Sequence, residues 1–374
     1  MRLLPSSLVL VTLCACAAVQ QTQASIAVKL EPVRPSVGRG DDVLVRVTLT
    51  NTAAVAQQVL RWRTPFPSVD SALFEVRRDG QPVRYLGRHV KRAAPGPEDY
   101  LRIEPGASLT RTVELSSLYE MHVTGTYTVR YLSPASPVPA GAAASAAAMA
   151  GELASAPVSI WVEGRLPRGA RPSAPAPAAV EPGQPSLAFS KCSNSQQEQL
   201  VTAVEAGRAM AADAHAYLAA GQVQGQGQGE GQAQPAPAEP SYGPRYTTWF
   251  GAFEAQRAAR VRANFTAIKD AFETKPLQID CGCDEPYFAY VYPARPYTIY
   301  VCKAFWAAAP TGTDSRGGTL VHELSHFDVV AGTDDHVYGQ AGAAELARSA
   351  PERAVNNADS HEYFGENTPA QQKR

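Results

Sequence analysis

Long apolar runs are scarce in this chain. Beyond its first residues, no segment is long and apolar enough to span a bilayer as a helix. Clusters of basic side chains interleaved with aromatics are also missing, so nucleic acid is not an expected partner. Charge of one sign does not dominate: 34 Lys and Arg face 35 Asp and Glu over 374 residues, for a net charge of −1. The balance is uneven along the chain. Residues 1–185 carry 19 basic and 14 acidic side chains, and residues 186–374 carry 15 and 21. The acidic second half suits a cationic substrate, and its charge is complementary to that of the first half, which favours contact between them.

Cysteine is sparse too. Of the six, Cys14 and Cys16 fall in the leader, and Cys192, Cys281, Cys283 and Cys302 all lie in the second half. An even number of cysteines in an exported chain implies two disulfides, with three pairings open. Cys281 and Cys283 in "DCGCD" are closer together than the C-x2-C spacing of zinc sites, which favours disulfides over metal ligation.

The start, "MRLLPSSLVLVTLCACAAVQQTQAS", has the shape of an export signal over residues 1–24, with cleavage expected after Ala24. The segment ending at Cys16 loosely resembles a bacterial lipoprotein box, although Cys14 stands where a small residue is usual. Such an anchor is the one route to a membrane in the sequence; the alternative is a secreted protein.

The remaining length suits two domains. Residues 26–164 read as an all-β, immunoglobulin-like sandwich. "VLVRVTLTN", "ALFEVRR", "SLTRTVELS", "GTYTVRYLS" and "PVSIWVEG" are alternating runs separated by turn residues. Tyr127 near the head of a strand resembles the tyrosine corner of such domains. A small-residue insertion, "SPASPVPAGAAASAAAMAGELASAP", precedes the last strand. His89 and His122 read as isolated residues, and no chemical constellation is visible here. Residues 165–188 are Pro/Ala-rich, an exposed linker open to proteolysis.

From residue 189 to 374 the pattern is mainly helical with a small hairpin. "SNSQQEQLVTAVEAGRAMAADAHAYLAA" and "WFGAFEAQRAARVRANFTAIKDAFE" each predict one helix. "FAYVYPARPYTIYVC" predicts two strands joined by a turn. "GGTLVHELSHFDVVAG" predicts a third long helix closed at Gly332. Residues 220–239 form a Gly/Gln-rich insertion with no reason to pack.

The third helix carries the chemistry. His322 and His326 stand four apart and share a face, where two imidazoles can serve one ion. Glu323 lies between them in angle, placed to act as a general base. Leu320, Val321, Leu324, Phe327 and Val330 predict a buried opposite face. A catalytic zinc needs a third protein ligand and one open position. The metzincin pattern fails, because Val329 and Gly332 stand where it needs Gly and His. Glu345 and Glu362 are possible downstream ligands, and on spacing Asp334, Asp335 and His336 in the turn compete.

"HELSH" followed by "GTDDHVYG" resembles the deuterolysin family of zinc endopeptidases, the aspzincins, whose pattern is HExxH followed by GTxD. "RYTTWFG" (245–251), "FAYVYP" (288–293), "TIYVCKAFW" (298–306) and "NNADSHEYFGEN" (356–367) resemble its peptidyl-lysine branch. The resemblance covers most of residues 186–374, a zincin-like metalloprotease domain, and implies one zinc per chain. It makes Asp335 the third ligand and Tyr338 the donor to the developing oxyanion. It pairs Cys192 with Cys281 and Cys283 with Cys302. It also makes Asp359 and Glu362 the floor of an S1′ pocket for lysine, where two carboxylates would hold an ammonium by charge-assisted hydrogen bonds.

The implied function is a secreted zinc endopeptidase that cuts protein or peptide substrates on the amino side of lysine. A broad-specificity deuterolysin-like protease differs from it only in the pocket. A zinc-stabilised binding protein, with His336 as a fourth ligand, has no use for Glu323 or Tyr338. For the N-terminal domain three roles are open: blocking the site until removed, assisting folding, or targeting.

Overall fold

The structure is a computed structural model, and it describes residues 25–134, 148–149, 152–170, 186–223 and 242–371. The expected leader, the middle of the linker, most of the Gly/Gln-rich insertion and most of the small-residue insertion lie outside these.

In the N-terminal region, side chains alternate between core and solvent along each main strand. Leu44–Asn51 pairs antiparallel with Ile26–Pro32 on one side and Ser108–Glu114 on the other. Gly125–Ser133 pairs antiparallel with Phe74–Arg78 and Val158–Val162. Val45, Val47 and Leu49 of the first sheet and Tyr127, Val129, Tyr131 and Ile160 of the second share one buried core. Shorter strands Gln57–Leu60 and Tyr100–Ile103 form a flanking pair.

The C-terminal region is a helical body around a mixed sheet. The long helix Asn194–Val223 forms where expected and runs three residues further, into the start of the Gly/Gln-rich insertion. The second expected helix is instead two, Pro244–Phe250 and Ala255–Thr274. Gly251 separates them at φ 80°, a conformation that favours glycine. There is also close approach: a Cβ on Gly251 would lie 2.5 Å from the Ala347 carbonyl oxygen.

The sheet is larger than the expected hairpin. Leu187–Ser190, Leu277–Asp280 and Thr298–Val301 run parallel, and Ala289–Val291 adds antiparallel. The first of these strands begins inside the stretch read as linker, which therefore ends sooner than expected. Its apolar residues have a parallel neighbour to pair with, something composition alone does not reveal. The fifth strand is His89–Lys91, from the N-terminal region, which covers the free edge of Ala289–Val291. An edge strand left open invites pairing, and here the chain fills its own. Disulfides join Cys192 to Cys281 and Cys283 to Cys302, tying the chain just after Leu277–Asp280 to the chain just after Leu187–Ser190 and just after Thr298–Val301.

Candidate active site

The helix Arg316–His326 starts at Ser315, whose hydroxyl accepts from the Gly318 N–H at 3.0 Å. The Glu366 carboxylate in turn accepts from the Ser315 N–H and hydroxyl, both at 2.8 Å. From Gly317 to His326 every residue is buried. The expected helix to Gly332 is cut short at His326, because Phe327 takes an extended ψ of 132°. The chain turns back, passing Gly332 at φ 57°, and the Thr333 N–H donates to the Ser325 carbonyl at 3.1 Å. Ser325 and Thr333 hydroxyls meet at 2.6 Å.

This fold-back decides which side chains face the two histidines. The Thr333 carbonyl lies 2.7 Å from His326 Nδ1 and holds the proton there, leaving Nε2 free to ligate. Asp334 is turned away: its N–H donates to the Asn356 carbonyl at 2.8 Å and its carboxylate accepts from Asn356 Nδ2 at 2.8 Å. Asp335 faces the histidines. Its Oδ1 lies 3.2 Å from His322 Nε2 and 3.4 Å from His326 Nε2, and the two nitrogens are 3.1 Å apart. Donors bound to a tetrahedral zinc lie roughly 3.3–3.5 Å from one another, so this trio fits the ion. Asp335 Oδ1 is buried and lacks a hydrogen-bond partner among the described residues, as a lone pair reserved for a metal would be. His336 is directed elsewhere, with Nδ1 3.5 Å from Arg353 and its N–H donating to Asn357 at 3.0 Å. Glu345 pairs with Arg348 at the surface.

Glu323 is fully buried, and neither carboxylate oxygen has a hydrogen-bond partner among the described residues. Burial pushes its carboxyl up to about 7. Such a group is poised to take and return a proton near neutrality.

Asp359 and Glu362 sit three apart on the buried helix Ala358–Glu366. Both face His322 Nδ1, at 2.9 and 3.2 Å. Carboxylates behind a ligating imidazole orient it and raise its basicity. The Gly339 N–H donates to the second oxygen of Asp359 at 2.7 Å. Between the two carboxylates lies the ammonium of Lys91, 3.1 Å from Asp359 Oδ1, 2.8 Å from Glu362 Oε2 and 3.1 Å from Asp314 Oδ1. The Phe288 and Tyr363 rings each stand 5.4 Å from Nζ. Burial disfavours the charge on Lys91, but Asp359 and Glu362 outweigh it and hold its pKa well above the ordinary lysine value. Asp359 is held low by Lys91 and His322 against the effect of burial, while burial keeps Glu362 high.

The residue before Lys91 is as closely held. The Tyr338 hydroxyl donates to the Val90 carbonyl at 2.7 Å, and the Val90 N–H donates to Asp335 Oδ2 at 3.1 Å. Tyr338 packs edge-on against Trp62 of the N-terminal region, at 5.8 Å between ring centres. His89, read as isolated from the sequence, instead stands with its ring 4.8 Å from that of His326. Burial and the His326 ring push its imidazole down to about 4. Sequence reasoning missed His89, Lys91 and Asp314. The signal available for Lys91 was chemical: it is a lysine in a chain expected to bind lysine.

The family described as lysine-specific metallo-endopeptidase matches residues 236–366. An extracellular protease of Aeromonas hydrophila is 46% identical over 337 residues, 89% of this chain and 90% of its own. A peptidyl-Lys metalloendopeptidase of Grifola frondosa is 32% identical over 88% of this chain and 90% of its own. The chain belongs to the aspzincin family. It is a zinc metalloendopeptidase, a hydrolase of peptide bonds. The peptidyl-Lys metalloendopeptidase of Pleurotus ostreatus, 45% identical, aligns with 49% of this aspzincin and with 98% of its own length. A solved zinc peptidase from Grifola frondosa is 43% identical and covers 48% of this chain and 100% of its own, with a TM-score of 0.41.

Proposed function

We propose that this aspzincin is a secreted enzyme that hydrolyses the peptide bond on the amino side of lysine, with one zinc held by His322, His326 and Asp335. Zinc bound there supplies Lewis acidity to the scissile carbonyl and lowers the pKa of a water. Glu323 takes a proton from the attacking water and delivers it to the departing amine. The Tyr338 hydroxyl donates to the carbonyl oxygen as negative charge develops on it. Asp359 and Glu362 seat the lysine ammonium, helped by Asp314, while the edge of Ala289–Val291 aligns the substrate backbone as an added strand.

The observation that carries this reading is the Lys91 ammonium among three carboxylates, one residue past a carbonyl held by Tyr338. The names of the Grifola and Pleurotus relatives support the lysine preference. The name of the Aeromonas relative supports secretion. An immunoglobulin-like N-terminal sandwich is supported by its two facing sheets and by the Tyr127 hydroxyl, which donates back to the Val123 carbonyl at 2.7 Å.

Mass spectrometry of the fragments released from one denatured protein tests the reading. New N-termini should be lysine, and a chelator should prevent them. Fragments without lysine at their start, or digestion indifferent to the chelator, would sink it.

A further inference from the structure

The segment in the cleft has the chemistry of a substrate, and its sequence order is the one the proposed specificity needs. Lys91 occupies the carboxylate pocket, and the bond on its amino side is Val90–Lys91. The carbonyl of that bond accepts from Tyr338, and the N–H of Val90 is anchored by Asp335. The backbone lies antiparallel to the active-site edge strand, with Tyr290 opposite Val90 and Ala289 opposite Lys91. The Glu323 carboxylate, on the same helix turn as His322 and His326, has no hydrogen-bond partner among the described residues.

Composition points the same way. From residue 26 to 190 the chain contains only two lysines, Lys29 and Lys91, and its other basic residues there are arginines. Lys29 lies in the strand Ile26–Pro32, with its side chain exposed and paired to Glu31. Of the two bonds on the amino side of a lysine in the N-terminal region, one thus lies beside the candidate catalytic groups and the other is locked in a sheet.

We propose that Val90–Lys91 is an internal cleavage site, hydrolysed in place by the same chain once its metal is bound. The inference rests on the lysine-directed reading above. Water adds to the Val90 carbonyl carbon and the C–N bond breaks. Val90 keeps the new carboxylate, and Lys91 leaves as an amine carrying the proton returned by Glu323. Before the cut the N-terminal region blocks the lysine pocket. After it, the three-residue strand is severed between its second and third residues, so its hold on the edge no longer spans both sides of the scissile position.

The full-length chain would be prepared in chelator, supplied with zinc, and followed by intact mass and N-terminal sequencing. A lysyl peptide would be assayed in parallel. The expected early product starts Lys91-Arg92-Ala93, with its partner ending at Val90, and appears at a first-order rate independent of protein concentration. Glu323→Gln should stay whole. Lys91→Ala should lose this cut while keeping the wild-type circular dichroism spectrum, and Lys29→Ala should retain it. If lysyl peptides are hydrolysed while Val90–Lys91 stays intact, the internal site is wrong and the enzyme's specificity stands. A rate rising in proportion to protein concentration would overturn the in-place cut. If neither peptide nor chain is cut, the internal site is wrong, and Lys91→Ala, whose carboxylates are free of the internal lysine, decides the rest: failure of that variant to cut the lysyl peptide overturns the lysine-directed reading itself.

Discussion

A buried carboxylate with both oxygens unpartnered, like that of Glu323, is costly unless chemistry uses it. Glu323→Gln keeps the size and removes the base. It should lower kcat about 10²–10⁴-fold while zinc content, read by atomic absorption, stays unchanged. On the proposed mechanism Tyr338 acts where charge develops, so Tyr338→Phe should cost on the order of 10²-fold in kcat with little change in KM. On the proposed reading, Asp359 and Glu362 act on the side chain of the substrate. The double change to alanine should erode the preference for lysine over an uncharged residue of similar length more than it lowers cleavage of the latter. Competition between two such peptides measures this directly. Because both carboxylates also face His322, zinc content must be measured beside it. The histidine pair and Glu323 were legible at this scale because residues on one helical turn are neighbours wherever the helix lies. Lys91 was not, because 231 positions separate it from His322 and only tertiary contact joins them.

Elements position these residues by packing. The helix Arg316–His326 crosses Asn194–Val223 at glycines: a Cβ on Gly317 would lie 2.8 Å from the Ala206 Cβ and 3.0 Å from the Gly207 nitrogen. Backbone on the far side cannot yield as a side chain can. Gly317→Ala should therefore destabilise by about 1–3 kcal/mol, seen as a lower thermal midpoint, and should loosen zinc binding as the histidines shift. The early end of this helix has a clear reason. Continued to Gly332, it would carry Asp335 onward along its axis, away from both histidines. The turn at Phe327 brings the chain back to Ser325 instead. Helical periodicity alone cannot show that stop, since Val329 and Val330 extend the apolar pattern while Val329 is exposed and Val330 only partly buried. The separate helices on either side of Gly251 were merged for the same reason: periodic apolar residues persist across a glycine whose conformation is set by its neighbours.

Across the whole molecule, the two halves meet through more than one strand. Arg63 donates to the His336 carbonyl, Arg84 reaches Asp328 at 3.5 Å, and Trp62 covers Tyr338. Lys91 is the centre of this contact, because removing one member of a buried charge cluster leaves the others uncompensated. In a Glu323→Gln background, where peptide cannot be turned over, Lys91→Ala should raise affinity for a labelled lysyl peptide at least about 10-fold by vacating the pocket. Fluorescence anisotropy would read this, and equal affinity with and without Lys91 would contradict the occupancy.

Local order was within reach of the sequence: alternating strands, the zinc-binding helix and the acidic character of the second half all follow from short-range spacing and composition. Two decisions needed the folded chain. The turn after His326 aims Asp335, not Asp334 or His336, at the two histidines, and the pairing of His89–Lys91 with Ala289–Val291 sets a lysine of one half among three carboxylates of the other. Hydrogen bonds between strands far apart in sequence leave no periodic trace, and a lone lysine reads as surface until three carboxylates are found around it.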